Sequence, residues 1–161
     1  MANEYLTSVG RKLQRYDGFN LFAGDPQSLW FISTYLSQPR LLAAGIHGVS
    51  NGDLDYPWPK VKKGKDALLK IIDECDTIEQ ESLFAVLLDR EVPDDKLLPD
   101  TGVGIKLERM LAPVFVSGGD YGTRSSTVLI MDSGKRVYFS ERNFDAEGKQ
   151  QESVEYEFEI T

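Results

Sequence analysis

Residues 153–160 alternate strictly between polar and apolar side chains, Ser153-Val154-Glu155-Tyr156-Glu157-Phe158-Glu159-Ile160. A period of two suits an extended strand with one apolar face, because a helix would scatter the same side chains around its circumference. Two further runs, residues 126–131 and 136–142, flank the turn sequence Asp132-Ser133-Gly134 and complete a set of three antiparallel strands. Earlier in the chain, runs 19–23 and 29–35 are rich in aromatic and branched residues. They are bounded by Asp17-Gly18 and Gly24-Asp25-Pro26, a hairpin pattern. Residues 41–49 read as a third strand loosened by Gly45 and Gly48.

Helical spacing occupies the remainder. Tyr5, Val9, Leu13 and Tyr16 recur at three- and four-residue intervals and predict a helix over 3–16. Pro59 suits a first helical position, and a helix over about 59–75 would bury Val61, Leu68, Leu69 and Ile72. Thr77-x-x-Gln80 has capping-box spacing ahead of an apolar run and predicts a second helix beginning there. A short helix at 106–111 and a strand at 114–117 follow, the intervening 91–99 being a polar, proline-bearing loop. The order helix, strands, helices, strands gives an α+β class, with sheets packed against helices. A length of 161 residues suits one domain, 1–161.

Charge and cysteine content limit the chemistry. A formal net charge of −8 argues against a surface that tracks phosphates, so nucleic acid is not an expected partner. The basic cluster Lys60, Lys62, Lys63 and Lys65 fits the solvated face of a helix better than an anion site. The single cysteine, Cys75, allows neither an intrachain disulfide nor a cysteine-based zinc site and suits a reducing, cytoplasmic setting. No apolar run reaches the ~18 residues of a membrane span. No Gly-x-Ser-x-Gly elbow, Walker loop or dinucleotide fingerprint is present.

Two segments hold more polar and conformationally special residues than a linker needs. In the first, Gly48 to Pro59, a strand ends on Ser50-Asn51. The Asn51 amide can donate to a developing oxyanion, Trp58 offers an anchor, and Pro57 and Pro59 stiffen the loop. An Asn-Gly turn closed by prolines explains the same residues without a ligand. In the second, Gly118 to Thr127, Arg124 at the mouth of a strand can grip a carboxylate, phosphate or carbonyl. The neighbouring glycines, with Tyr121 and Thr123, would let backbone approach the ligand. A flexible hairpin loop with a surface arginine is the plain alternative. His47, the only histidine, reads as a packed or half-exposed residue rather than a metal or haem ligand, and carboxylates around Cys75 make it a poor nucleophile.

These segments, with Tyr16-Asp17-Gly18-Phe19-Asn20-Leu21 and Phe139-Ser140-Glu141-Arg142, resemble the NRDE-motif family, also called the transport and Golgi organisation protein 2 family. The shared pattern is Tyr-x-Gly-Phe-Asn-Leu, Gly-x-Ser-Asn-x-x-x-Asp-x-Pro-Trp-x-Lys, Tyr-Gly-Thr-Arg-x-x-Thr and Phe-x-Glu-Arg. Members begin Met-Cys and carry an Asn-Arg-Asp-Glu motif soon after. These 161 residues contain neither, so the resemblance is to the C-terminal part. It implies part of an N-terminal-nucleophile-hydrolase-like sandwich, in which a terminal cysteine attacks an amide with its own α-amino group as base. By that resemblance Asn51 and Arg124 would be the oxyanion and substrate contacts, with Ser50, Trp58, Tyr121 and Thr123 around the pocket, and no metal. The chain by itself would lack the nucleophile and be inactive. The resemblance also implies a small-molecule ligand, either an N-acyl substrate, acyl-CoA or haem, and links to mitochondria and Golgi in eukaryotic relatives. Unfilled sheet edges would favour association with another chain.

Overall fold

A computed structural model describes residues 1–36 and 38–160. Among these, four α-helices and six strands form two antiparallel sheets of three strands each, an α+β arrangement. The chain divides into two compact units, Met1–Tyr56 and Pro57–Thr161, each built on its own sheet.

The first unit begins with α1 (Ala2–Gly10), which buries Leu6 completely and leaves Tyr5 57% exposed. The helix stops at Gly10, short of the predicted Tyr16. Gly10 is the poorest helix former of the segment, and the chain tightens into a 3-10 turn at Leu13–Arg15 before Tyr16 extends. The aromatic hairpin forms as β1 (Asn20–Asp25) and β2 (Ser28–Ser33), paired Leu21 with Ile32 and Phe22 with Phe31. Its turn is chemically fixed. Pro26 follows Asp25, whose Oδ1 accepts from the backbone N–H groups of Gln27 (3.0 Å) and Ser28 (2.9 Å). A Cβ at Gly24 would lie 2.3 Å from the Ser28 carbonyl oxygen, so the position admits only glycine. Phe31, Ile32 and Ser33 are fully buried, and α1 packs along β1 and β2.

The predicted strand 41–49 survives only as β3 (Arg40–Leu41). Beyond Leu42 the chain leaves the sheet: Gly45 takes a φ of 149°, and His47 turns back to bond the Ala43 carbonyl. The segment satisfies its polar groups locally instead of through a ladder.

In the second unit, α2 (Pro59–Glu74) begins on Pro59 as the sequence indicates. Of its four predicted core residues Val61 is buried, whereas Leu69 and Ile72 are nearly half exposed. Helix α3 (Gln80–Leu87) starts one turn past Thr77. Glu79 is its N-cap with no side-chain cap, so the capping box does not form. Phe84 of α3 is buried beneath the Arg142 guanidinium, 3.8 Å from the ring centroid, and Arg142 also pairs with Glu81. Helix α4 (Ile105–Leu111) carries buried Glu108, which accepts from both the N–H (2.7 Å) and hydroxyl (2.6 Å) of Thr101 in the preceding loop.

The predicted strand 114–117 is irregular, with Phe115 N–H bonded to the Asp89 carbonyl (2.8 Å) and Val116 bonded to Thr123. The three C-terminal strands form as expected: β4 (Ser125–Met131), β5 (Arg136–Phe144) and β6 (Gln150–Glu159), in the order β4-β5-β6. Helix α3 lies against β4. The core gathers Phe84, Phe115, Val128 and Phe144, with the Phe115 and Phe144 rings edge to face at 4.8 Å, while Val137 is buried on the opposite face of the sheet. Arg90 stacks on Phe115 and donates to the Gly148 carbonyl at 2.7 Å. Phe115→Ala should lower the stability of this unit by about 3–5 kcal/mol, the usual cost of emptying a buried phenylalanine site. Urea unfolding followed by tryptophan fluorescence would measure it, and a loss below about 1 kcal/mol would contradict the packing described.

Candidate functional site

The loop from Gly48 to Asp55 is irregular, yet nearly every turn of its backbone is tied down. Asp55 does most of this. One carboxylate oxygen accepts from the Gly48 N–H (3.0 Å), the other lies 2.7 Å from His47 Nδ1, and the Asp55 N–H returns to the Gly48 carbonyl at 2.7 Å. Asp55 holds a left-handed φ of 58°, a conformation that aspartate tolerates better than most residues and that costs about 1 kcal/mol or more. The three bonds offset that cost, at roughly 0.5–1.5 kcal/mol each.

The middle of the loop is braced by the hairpin and the residues after it. Asn20 Nδ2, at the start of β1, donates to the Ser50 carbonyl at 2.9 Å, and the Tyr35 hydroxyl donates to the Asn51 carbonyl at 3.2 Å. Asp53 Oδ1 accepts from the Leu54 N–H (2.7 Å) and faces Arg40 at 3.5 Å, while the Leu54 side chain is buried. The Asn51 side chain stays exposed, and among the described residues its amide has no partner. A fixed backbone carrying a free amide is a pre-positioned donor and acceptor. Beneath it, Asn20 Oδ1 is buried with no hydrogen-bond partner among the described residues.

The second segment lies wholly in the second unit. A tight loop returns from Val116 to Thr123: Thr123 N–H donates to the Val116 carbonyl (2.9 Å), and the Val116 N–H donates to Thr123 Oγ1 (3.0 Å). Glycine is required at two positions, since a Cβ at Gly118 would sit 2.9 Å from the Tyr121 carbonyl oxygen and one at Gly122 would sit 3.0 Å from that of Val116. Tyr121 projects with 60% of its surface exposed. Arg124 anchors its backbone by accepting the Phe144 N–H (2.9 Å); its exposed guanidinium has no partner among the described residues. Trp58 caps α2, its carbonyl accepting the Lys62 N–H at 3.0 Å. Ser50 and Asn51 thus share one braced loop, Tyr121, Thr123 and Arg124 share another, and Trp58 belongs to neither loop but is the N-cap of α2.

Other groups are committed to structure. Both His47 nitrogens are engaged, Nδ1 with Asp55 and Nε2 with the Ala43 carbonyl at 3.0 Å, so axial coordination of a haem by His47 would break one of these bonds. Among the described residues no group of three or more His, Cys, Asp or Glu side chains is placed to hold a metal. Lys60 donates to the Leu111 carbonyl at the end of α4 (2.7 Å), and burial holds its pKa below the ordinary lysine value. Lys63 binds Asp89 (2.6 Å) and Glu91 (2.5 Å), and these hydrogen bonds push its pKa up. Asn20, Tyr35 and Asp55 had no assigned role in the sequence reading. Asn20 and Asp55 sit at fixed places in the Phe-Asn-Leu and Ser-Asn-x-x-x-Asp patterns, which was the available signal; Tyr35 offered none.

The α+β fold and the two braced loops define a scaffold with polar groups presented on irregular, structurally fixed segments. The family model described as Transport and Golgi organisation 2 matches residues 1–146, and the chain belongs to that family. It is 31% identical to the human protein called Transport and Golgi organization protein 2 homolog and 29% identical to the one from Bos taurus. It is 26% identical to Transport and Golgi organization 2 homolog of Mus musculus. Each comparison covers 97% of this chain and 62% of the relative, so the chain spans under two thirds of the length of these relatives.

Asp55→Ala should release the Gly48 N–H. Its hydrogen exchange is expected to accelerate at least about tenfold, while amides in β2 keep their protection. Unchanged exchange at Gly48 would show that Asp55 does not hold the loop.

Proposed function

We propose that this chain is a ligand-holding portion of an N-terminal-nucleophile-type amidase scaffold, one that binds an acylated small molecule without turning it over. The observation that carries this reading is the Gly48–Asp55 loop, whose backbone is bonded at Gly48, Ser50, Asn51, Leu54 and Asp55 while the Asn51 amide remains free. Such a group can hold a carbonyl or amide of the ligand at little further entropic cost. Arg124, in the second unit, offers separately a fork for a carboxylate or phosphate.

Two side chains with nucleophile or base chemistry are occupied otherwise, and the third lies outside both loops. Thr123 Oγ1 accepts a backbone N–H, His47 is bonded through both nitrogens, and Cys75 is exposed just past the end of α2. Binding and handling therefore suit these residues better than turnover, in line with the word transport in the names of the relatives. No described helix is long and apolar enough to cross a membrane.

Titration calorimetry with a long-chain acyl-CoA and with an N-acyl amino acid tests the reading. Saturable binding of one of them is expected, weakened about tenfold or more by Asn51→Ala, with no acyl product released. Affinity unaltered in both Asn51→Ala and Arg124→Ala would overturn it, and release of free acid by the chain would overturn its non-catalytic part.

A further inference from the structure

Strand β6 is the outer strand of its sheet, and all ten of its residues, Gln150–Glu159, are exposed. At about 3.3 Å per residue it presents roughly 33 Å of open backbone edge. Protein edges of this length are ordinarily blunted by bulges, proline or lysine. Here a bulge falls in β6 itself between Gln150 and Ser153, but the regular ladder from Ser153 to Glu159 has none, and no proline or lysine interrupts residues 150–159.

The two faces of β6 differ in kind. Pairing of Phe139 with Tyr156 and of Val137 with Phe158 puts Val154, Tyr156 and Phe158 on one face with Leu129 and Met131 of β4. This apolar face is open: Leu129 and Tyr156 are each 61% exposed, and Phe158 is 51% exposed. The opposite face carries Glu155, Glu157 and Glu159. Arg136 alone serves two of these, at 3.2 Å from Glu157 and 3.8 Å from Glu159, and Glu155 has no cationic partner among the described residues.

We infer that the β6 edge binds an extended polypeptide strand that is basic on one face and apolar on the other. Backbone groups of that strand would continue the ladder, its lysines or arginines would face Glu155 and Glu157, and its apolar side chains would extend the Leu129, Tyr156 and Phe158 face. A second copy of the chain fits poorly. Antiparallel pairing of β6 with itself would bring glutamates against glutamates, between molecules that each carry a net charge of −8. The inference is independent of the Asn51 and Arg124 loops.

The test uses the whole chain and two ten-residue peptides, one alternating valine with lysine and one alternating valine with glutamate, with hydrogen exchange of residues 150–159 as readout. The valine–lysine peptide is expected to slow exchange across β6 at least tenfold, and the valine–glutamate peptide to have no effect. Glu155→Lys, which disturbs no ion pair, should weaken the first peptide about tenfold and admit the second. Equal effects of both peptides, or no protection by either, would overturn the inference. So would concentration-dependent protection without peptide, accompanied by a dimer in sedimentation, because a second copy would then occupy the edge.

Discussion

The geometry of the first unit's loop depends on how one carboxylate is used. Asp55 has two oxygens and a backbone N–H, and all three are committed across the loop, to Gly48 twice and to His47 once. An irregular loop leaves more backbone groups unsatisfied than a strand or a helix does. By closing Gly48 against Asp55, this residue replaces the ladder that the chain abandons after Leu41. The residues in between are then braced from outside the loop, Ser50 by Asn20 and Asn51 by Tyr35. Asp55 makes these bonds from a left-handed φ of 58°.

The second unit solves a comparable problem with glycine and threonine. Close approach of backbone at Gly118 and Gly122 lets the chain reverse within a few residues. The Thr123 hydroxyl then takes the Val116 N–H that a regular strand would have paired. Arg124 emerges at the end of this reversal with its backbone fixed to β5 and its side chain free of protein partners among the described residues. In both units, then, the residues carrying the sequence patterns serve chiefly to rigidify irregular backbone, and one polar side chain on each is left to solvent.

Elements with a clear periodicity were legible from sequence. The hairpin, the three C-terminal strands and α2 stand where alternation, turn residues and Pro59 place them, within one or two residues at most ends. Where sequence reasoning failed, a local competitor won. Gly10 ended α1 early, His47 and Gly45 folded the third strand back on itself, and Glu79 rather than Thr77 became the start of α3. The buried face of α1 was also misplaced, since Leu6 and not Tyr5 meets the sheet. Asn51 and Arg124 could be singled out from their company of glycines and prolines. Bracing by Asn20 and Tyr35 could not, because it joins residues 16 to 30 positions apart.

The central claim is that Asn51 is a donor held ready by a loop that does not need to move. The most direct measurement is the nuclear magnetic resonance signal of the Asn51 side-chain amide during titration with an acyl-CoA or N-acyl amino acid. The account predicts a saturable shift of that amide while backbone resonances of residues 48–55 stay nearly in place. A loop that reorders on binding, or an Asn51 amide that does not respond to a ligand that binds, would contradict it.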